Sequence, residues 1–204
     1  MTERFVIDAP LPHTSPDPRY RLDRVASHLD ARTPLEESVP DGIRRAAVLI
    51  LLRDGPQGLE VLLTRRSREV SDHKGQVSLP GGAVEPEDAD SSAAALREAN
   101  EEVGLDPTRV RMLGRLDDYV TITGFHIVPW AAAIDDFDGL GPRTGEIDEV
   151  FTFPLAYLAD DRHVLHLPWV RHGNAEEVLF IPYGDQLLWG VTARILYRLL
   201  EILS

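Results

Sequence analysis

Three glutamates lie in one short segment at a spacing that can gather them for chemistry. Glu98, Glu101 and Glu102 occupy positions i, i+3 and i+4, so a helix would place all three carboxylates on one face. Like charges at this spacing repel one another by about 0.2–0.5 kcal/mol per pair. A cation bound between them reverses the sign of that interaction, and oxygen-only ligands of this kind suit Mg²⁺ or Mn²⁺. The spacing therefore predicts a metal site.

The residues around the glutamates favour a metal site over a solvated acidic surface. Eight acidic residues lie between Glu85 and Asp106, and Arg97 is the only base among them, whereas an ordinary solvated helix would interleave lysines. Arg97 can bond a carboxylate in a bidentate manner and fix its orientation. Just upstream, Gly81 and Gly82 follow a proline in a tight loop, where a backbone carbonyl can approach a metal without a Cβ in the way.

Composition and charge exclude several other kinds of function. The chain has 204 residues, 43% of them hydrophobic, which is a one-domain length with enough apolar surface for a core. It contains no cysteine, which excludes a thiol nucleophile, a thiolate zinc site and a disulfide scaffold. A formal net charge of −13 opposes binding to nucleic acid or anionic membrane. No apolar run approaches the roughly 20 residues of a membrane helix, and the polar start lacks a signal-peptide core, so we expect a cytoplasmic enzyme.

A mixed sheet with helices on its faces is expected to position the acidic segment. An aliphatic run at 46–52 and a second apolar run at 59–64 predict a hairpin around the turn at 54–56. Hairpins interleaved with helices without regular alternation favour the α/β (α+β) class. Further predicted strands lie at 109–120, 125–134, 149–153, 163–171 and 177–183, and further predicted helices at 20–32, 154–159 and 186–203.

The acidic helix itself is predicted over 91–103. Ser91 or Ser92 is the expected N-cap, and Gly104 the expected end. The face opposite the glutamates carries small and apolar residues that can pack on the sheet, namely Ala93, Ala94, Leu96, Ala99 and Val103. We divide the chain into an N-terminal arm with a short helix, 1–35, and a catalytic domain, 36–204.

The acidic segment resembles the signature of the Nudix hydrolase family, G-x5-E-x7-R-E-U-x-E-E-x-G-U, in which U is apolar. The matching residues are Gly82, Arg97, Glu98, Glu101, Glu102, Gly104 and Leu105. Two departures stand out: the loop before Arg97 is one residue longer, which makes Asp88 the middle acid, and Ala99 is a small first U. The resemblance implies a Nudix-type α/β/α sandwich and metal-dependent hydrolysis of a diphosphate bridge.

A narrower resemblance points to the coenzyme A pyrophosphatases. Residues 62–67 and 75–82 are similar to the extra motif of that branch, and the likeness extends over about 44–200. Ser71 stands where the motif has its second arginine, and Leu79 where it has phenylalanine. The implied substrate is coenzyme A, cleaved to 3′,5′-ADP and 4′-phosphopantetheine. The two departures leave open another nucleoside diphosphate derivative, such as ADP-ribose or NADH, and a non-catalytic ligand-sensing module is the third alternative.

The family resemblance also implies roles for individual residues. Glu98 and Glu102 are the chief expected ligands of Mg²⁺ or Mn²⁺, with Glu101 and a carbonyl of Gly81 or Gly82 contributing. Arg97 would orient the glutamates. A further glutamate from a loop outside the signature often serves as ligand or base in this family. Our candidate for that role is Glu146.

A basic cluster stands out in this acidic chain and suits the phosphates of coenzyme A. Its members are Arg65, Arg66, Arg68 and Lys74, of which Arg66 matches the coenzyme A motif and is the expected contact of the 3′-phosphate. The histidines have no zinc-like spacing and are interpreted as structural. The apolar C-terminal helix is expected to pack on the sheet, with a homodimer contact as the alternative to a monomer.

Overall fold

The computed structural model describes residues 17–39, 42–56, 58–68, 74–121, 123–171 and 174–204, with 169–171 and 174–176 described by their backbone alone. Ser71 and residues 1–16 of the N-terminal arm lie outside these ranges. The α-helices in the described part are α1 (Leu22–Asp30), α2 (Ser91–Val103) and α3 (Gly190–Leu203). Short 3-10 helices lie at Pro107–Arg109, Leu155–Ala159 and Asp161–His163, the second of them where a helix is predicted over 154–159. The strands are β1 (Arg44–Gly55), β2 (Gly58–Arg66), β3 (Val77–Ser78), β4 (Gly81–Ala83), β5 (Arg111–Arg115), β6 (Tyr119–Val120), β7 (Phe125–Ala133), β8 (Ile147–Pro154), β9 (Leu165–Arg171), β10 (Asn174–Tyr183) and β11 (Gln186–Trp189).

The larger sheet is built around β1. Its order is β3-β2-β1-β7-β5, with β4 paired to β1, β6 to β7 and β8 to β2. β1 runs parallel to β7 and antiparallel to β2 and β4, so the sheet is mixed, as predicted. The aliphatic run in β1 is buried on both faces of the sheet, which explains why it is nearly continuous rather than alternating.

Helices cover both faces of this sheet, which confirms the predicted fold class. On one face, α2 packs through the small residues Ala94, Ala95 and Ala99 against β1 and β7. α1 and α3 contribute to the core on the other face, where Ile50 and Leu52 of β1 point. The small side chains of α2 allow a close approach to the sheet, and this approach brings the acidic residues of the helix to the β4 backbone.

The C-terminal region differs from the prediction of one helix over 186–203. Its first four residues form β11, which pairs with β10, and α3 begins only at Gly190. β9, β10 and β11 form a separate three-stranded sheet. The four residues of β11 are alternately buried and exposed, which is the period of a strand. The sequence does not show this alternation, because an apolar helix follows directly. The predicted strand at 109–120 is likewise divided into β5 and β6.

The N-terminal segment packs into the main core. Tyr20, Val25 and Leu29 are buried there, and a Cβ at Gly114 of β5 would lie 2.9 Å from the Leu29 Cβ. The absence of a side chain at Gly114 therefore lets α1 lie close to the sheet. The division of the chain at residue 35 stays a prediction. Within the described residues, no helix is long and apolar enough to cross a membrane.

A buried charged cluster fixes this segment to the domain, and we call it the aspartate cluster. Asp117 and Asp118, between β5 and β6, accept bonds from several elements. Their partners are the side chains of Arg32, Arg115, Arg198 and His126 and the backbone N–H groups of Leu35 and Glu37. The side chains of His126 and Asp118 are almost fully buried against each other, in keeping with a structural histidine.

Candidate active site

Helix α2 is held firmly at both ends. Asp90, rather than Ser91 or Ser92, is the N-cap, and its carboxylate accepts from the backbone N–H groups of Ser92 and Ala93. Trp130 of β7 donates its indole N–H to the Ser91 hydroxyl at 3.0 Å, which ties the first turn to the sheet. Gly104 ends the helix in the left-handed conformation, as predicted.

The three glutamates share a side of α2 but differ in exposure. Glu102 is 8% exposed and faces the sheet. The Glu98 side chain is 18% exposed, and that of Glu101 is 53% exposed and points to solvent. Glu98 and Glu102 thus line the floor of the site, whereas Glu101 stands at its rim.

The glycine loop touches both inner glutamates. The backbone N–H of Gly81 donates to the Glu102 carboxylate at 3.1 Å. A Cβ at Gly82 would lie 2.4 Å from a Glu98 oxygen, and one at Gly81 would lie 2.3 Å from the Ala47 carbonyl oxygen of β1. Gly81 therefore requires glycine, because β4 is pressed against the backbone of β1, whereas a Cβ at Gly82 would displace only the flexible end of the Glu98 side chain.

Arg97 joins the acidic groups on the outer side of the helix. Its Nε and Nη2 donate to the two oxygens of Asp88 at 3.1 Å each, and its Nη1 donates to Glu98 at 3.1 Å and reaches Glu101 at 3.4 Å. Nη2 also donates to the carbonyl of Ala83 at 2.9 Å. The extra loop residue thus leaves Asp88 in contact with Arg97. Sequence alone had left the role of Asp88 open because a spacing count cannot show where a longer loop turns.

The carboxylates on the floor of the site are poorly compensated. Burial raises the pKa of Glu102 to about 7; the Gly81 N–H opposes this rise, and the nearby charge of Glu98 adds to it. Burial also raises the pKa of Glu98, although Arg97 works in the other direction. The bonds from Arg97, by contrast, hold the pKa of Asp88 below its ordinary value. Negative charge on Glu98 and Glu102 is therefore costly until a cation joins them.

The donor set of the site fits a hard divalent cation. Glu98, Glu102 and the loop carbonyls offer oxygen alone, which suits Mg²⁺ or Mn²⁺. Among the described residues, no three acidic or histidine side chains already converge at metal-binding distance. The carboxylates of Glu98 and Glu102 would therefore have to turn toward the ion as it binds.

Arg66 and Glu146 meet beside these glutamates although 80 residues separate them. The Arg66 Nη2 donates to the Glu146 carboxylate at 3.0 Å, and the backbone N–H of Ser67 donates to the Glu146 carbonyl at 2.7 Å. The register of β2 against β8 shifts between Arg65 and Arg66, as strands often do next to active sites. The charges of Arg66 and Glu146 both act on Glu102, so the pair belongs to the same site.

The other members of the basic cluster lie apart from that pair. Arg65 forms ion pairs with Glu149 at 3.0 Å and with Asp185 at 3.7 Å, toward the second sheet. Arg68 and Lys74 flank the β2–β3 loop; both are exposed, and neither pairs with an acid in the described part of the chain. A substrate-binding role for Arg65 stays a prediction, and the structure does not bring it to the Arg66–Glu146 pair.

The comparisons with known proteins identify the class of protein to which this fold belongs. The NUDIX domain family matches residues 43–172, and the chain belongs to this family. It is 37% identical over 182 residues to the uncharacterized Nudix hydrolase NudL of Salmonella typhimurium, covering 89% of this chain and 94% of that protein. These matches make the protein a Nudix pyrophosphohydrolase.

Two further relatives illustrate how far the likeness extends. Nudix hydrolase 15, mitochondrial, of Arabidopsis thaliana is 38% identical over 164 residues, which cover 76% of this chain but only 57% of that protein. The NUDIX domain of Shewanella oneidensis NrtR, solved in complex with ADP ribose, superposes with a TM-score of 0.52 at 17% identity, covering 88% of this chain and 98% of that one. The second likeness concerns the fold alone.

Proposed function

We propose that this Nudix hydrolase cleaves the diphosphate bridge of coenzyme A with the help of Mg²⁺ or Mn²⁺. The products would be 3′,5′-ADP and 4′-phosphopantetheine. The observation that carries the proposal is the basic end of β2, which lies directly beside the acidic floor of the site. A substrate with a diphosphate and a separate 3′-phosphate needs a metal site for the first and further cations for the second.

Glu98 and Glu102 would hold the metal, with a carbonyl of Gly81 or Gly82 as a further donor. When bound, the metal supplies neutralisation of the phosphate oxygens and a more acidic water. Arg97 keeps Glu98 in place from the outer side through its bond at 3.1 Å. Its second anchor, Asp88, fixes the guanidinium itself, so the Glu98 carboxylate is oriented by a rigid group.

Glu146 is the proposed general base. Its side chain is 60% exposed, so water can reach it, and its charge acts on Glu102 across the site. It would accept the proton of the attacking water while the bridging P–O bond breaks and the electron pair leaves on the departing phosphate. Glu101, at the rim, would add negative charge next to the metal.

Contacts to the 3′-phosphate are proposed for Arg68 and Lys74 in place of Arg66. Arg66 is engaged at the metal end of the site, whereas Arg68 and Lys74 are exposed cations of the same cluster. They would compensate for Ser71, which stands where the related motif has an arginine. A hydrogen bond to a charged group contributes about 1.5–3 kcal/mol, and exposure places these contacts at the low end, or roughly a tenfold preference.

A substrate panel read by mass spectrometry tests the proposal. With Mg²⁺ we expect kcat/KM for coenzyme A to exceed that for dephospho-coenzyme A about tenfold, and that for ADP-ribose or NADH by more. Arg68→Ala with Lys74→Ala should shrink the first ratio, and Arg24→Ala, a change of an exposed arginine in α1, should leave it unchanged. Equal kcat/KM for coenzyme A and ADP-ribose would move the assignment to the second candidate, which the Leu79 and Ser71 departures favour.

A further inference from the structure

We infer that Arg66 and Glu146 form a latch that the substrate opens. In the free enzyme Arg66 donates a hydrogen bond to the Glu146 carboxylate. When the substrate binds, one of its phosphates accepts from Arg66 instead, and Glu146 is free to accept a proton. This inference rests on the proposed function for the role of Glu146, and it adds that base activation depends on the presence of a diphosphate.

The contact between the two side chains is only half of what Arg66 can make. Its Nη2 donates to Glu146, but its Nε is buried and has no hydrogen-bond partner among the described residues. In Arg97 the same two nitrogens, Nε and Nη2, together grip both oxygens of Asp88. Nε is thus unpaired on the edge where Nη2 holds the Glu146 carboxylate, and an anion with two oxygens at fork spacing would pair with both nitrogens once that carboxylate moves aside.

A phosphate group is the ligand that this edge fits. It offers two oxygens to Nε and Nη2 at once, and it satisfies a buried donor that otherwise costs free energy. A phosphate is also expected at this place, because the charge of Arg66 is felt by Glu102, which would bind the metal. A diphosphate held by that metal would therefore lie on the side of the site where Arg66 meets Glu146.

The ion pair between Arg66 and Glu146 is weak enough for a phosphate to displace it. Glu146 is 60% exposed, and exposed ion pairs contribute about 0–1 kcal/mol. The backbone contact from Ser67 to the Glu146 carbonyl does not involve the carboxylate, so the residue stays in place when its side chain is released. Only the carboxylate has to turn, from Arg66 toward the water beside the substrate.

The latch is tested by binding an inert diphosphate, without turnover. Methylenediphosphonate with saturating Mg²⁺ is the probe, and calorimetry gives its Kd. Removing Glu146 in Glu146→Gln frees Arg66, so the probe should bind up to about fivefold more tightly, since an exposed ion pair is worth up to about 1 kcal/mol. Arg66→Ala should weaken binding at least tenfold, and Arg66→Lys should restore it only in part, because lysine lacks the fork.

A double-mutant cycle separates the latch from simple charge repulsion. Without a latch, Glu146→Gln would tighten binding equally in the wild-type and Arg66→Ala backgrounds, because the removed charge repels the probe in both. The latch adds a gain that exists only when Arg66 is present, so it requires Glu146→Gln to tighten binding clearly less in the Arg66→Ala background, where only the repulsion is removed. Asp148→Asn removes an exposed charge two residues away and serves as the matched control, with no tightening that depends on Arg66.

The outcomes distinguish the latch from the proposed function. Equal tightening in both backgrounds, or weaker binding in Glu146→Gln, would overturn the latch whatever the substrate is. A smaller gain in the Arg66→Ala background together with no hydrolysis of coenzyme A would uphold the latch and reject the substrate. Melting curves of each variant with and without Mg²⁺ show whether the fold and the metal site survive, and Arg66→Lys gives the decisive comparison if Arg66→Ala unfolds.

Discussion

The active site and the aspartate cluster bury similar groups with opposite charge balance. In the aspartate cluster, two carboxylates meet three arginines and a histidine. In the active site, Glu98, Glu101, Glu102, Asp88 and Glu146 meet only two arginines, Arg66 and Arg97. The carboxylates of the first cluster therefore have cationic partners in excess, whereas those of the active site outnumber their cationic partners.

The difference shows that partners, and not burial alone, set the behaviour of these carboxyl groups. Burial by itself would raise the pKa of Asp117, but the Leu35 N–H and the side chains of Arg198 and Arg32 outweigh it, and the pKa lies below its ordinary value. The pKa of Glu102, with one N–H donor and a second carboxylate nearby, rises to about 7. A buried acid left short of cations marks a functional site, whereas a fully paired one marks a structural site.

The largest expected effect concerns turnover. Glu102→Gln should lower kcat by orders of magnitude, because it removes a metal-binding charge. The melting temperature without metal should hold or rise, since a costly buried charge disappears while the side chain keeps its size. Steady-state kinetics and calorimetric melting check both parts, with the exposed Glu87→Gln as control. A variant that keeps near-full activity with Mg²⁺ would show that Glu102 is not a ligand.

The aspartate cluster should respond in the opposite way. Asp117→Ala strands Arg32 and leaves Arg198 with one partner, so we expect a loss of about 3 kcal/mol in the free energy of unfolding, with kcat of the folded enzyme preserved. Urea unfolding measures it. Glu201→Gln, which removes an exposed partner of the same Arg198, is the matched control and should cost less than about 1 kcal/mol. Equal losses in the two variants would contradict a stabilising role for the buried cluster.

Metal binding should stabilise only the protein with an intact acidic floor. At a Mg²⁺ concentration 100 times the Kd, the wild-type protein gains about 2.7 kcal/mol by mass action. In the Glu98→Gln, Glu102→Gln double variant that gain should be largely lost. Thermal shifts across a Mg²⁺ and Mn²⁺ titration provide the measurement, and an equal shift in both proteins would place the cation elsewhere.

Stability without metal should depend on pH with opposite signs in the two regions. The folded-state pKa of Glu102, about 7, lies above its unfolded value, so the folded protein binds the extra proton and Glu102 favours folding as the pH falls from about 7 toward 4.5. The lowered pKa of Asp117 stabilises the fold above about pH 4, and this contribution is lost as the pH falls further. In Glu102→Gln the gain between pH 7.5 and 5, on the order of 2 kcal/mol, should be absent from urea unfolding curves. The same gain in both proteins would assign it to another group.

Local pattern predicted the scaffold of the site better than its contacts. The bounds of α2 and the aliphatic strand β1 follow from periodicity and from Gly104, all of which act over a few residues. The sequence did not predict β11, because its three apolar residues directly precede an apolar helix and fit either period, and only pairing with β10 selects the strand.

The contacts that complete the site join distant parts of the chain. Gly81 bonds to Glu102 across 21 residues and Arg66 to Glu146 across 80, and no local pattern encodes such pairs. The sequence also could not predict which of the three glutamates is buried. Their spacing on the helix is the same whether Glu102 or Glu101 faces the sheet. The sequence pointed to the residues of the candidate site. Which of them come into contact depends on how the strands of the sheet pair.

The packing of α1 and α3 has a consequence for how far this chain can be truncated. The family match covers 43–172, yet both helices lie outside it and still contribute buried side chains to the main core. A chain trimmed to the matched residues would uncover Ile50 and Leu52 on one face of the sheet and leave Asp117 without Arg32 and Arg198. We therefore expect a chain of residues 43–172 to be less stable than the full chain, because the flanking helices bury apolar side chains of the main core.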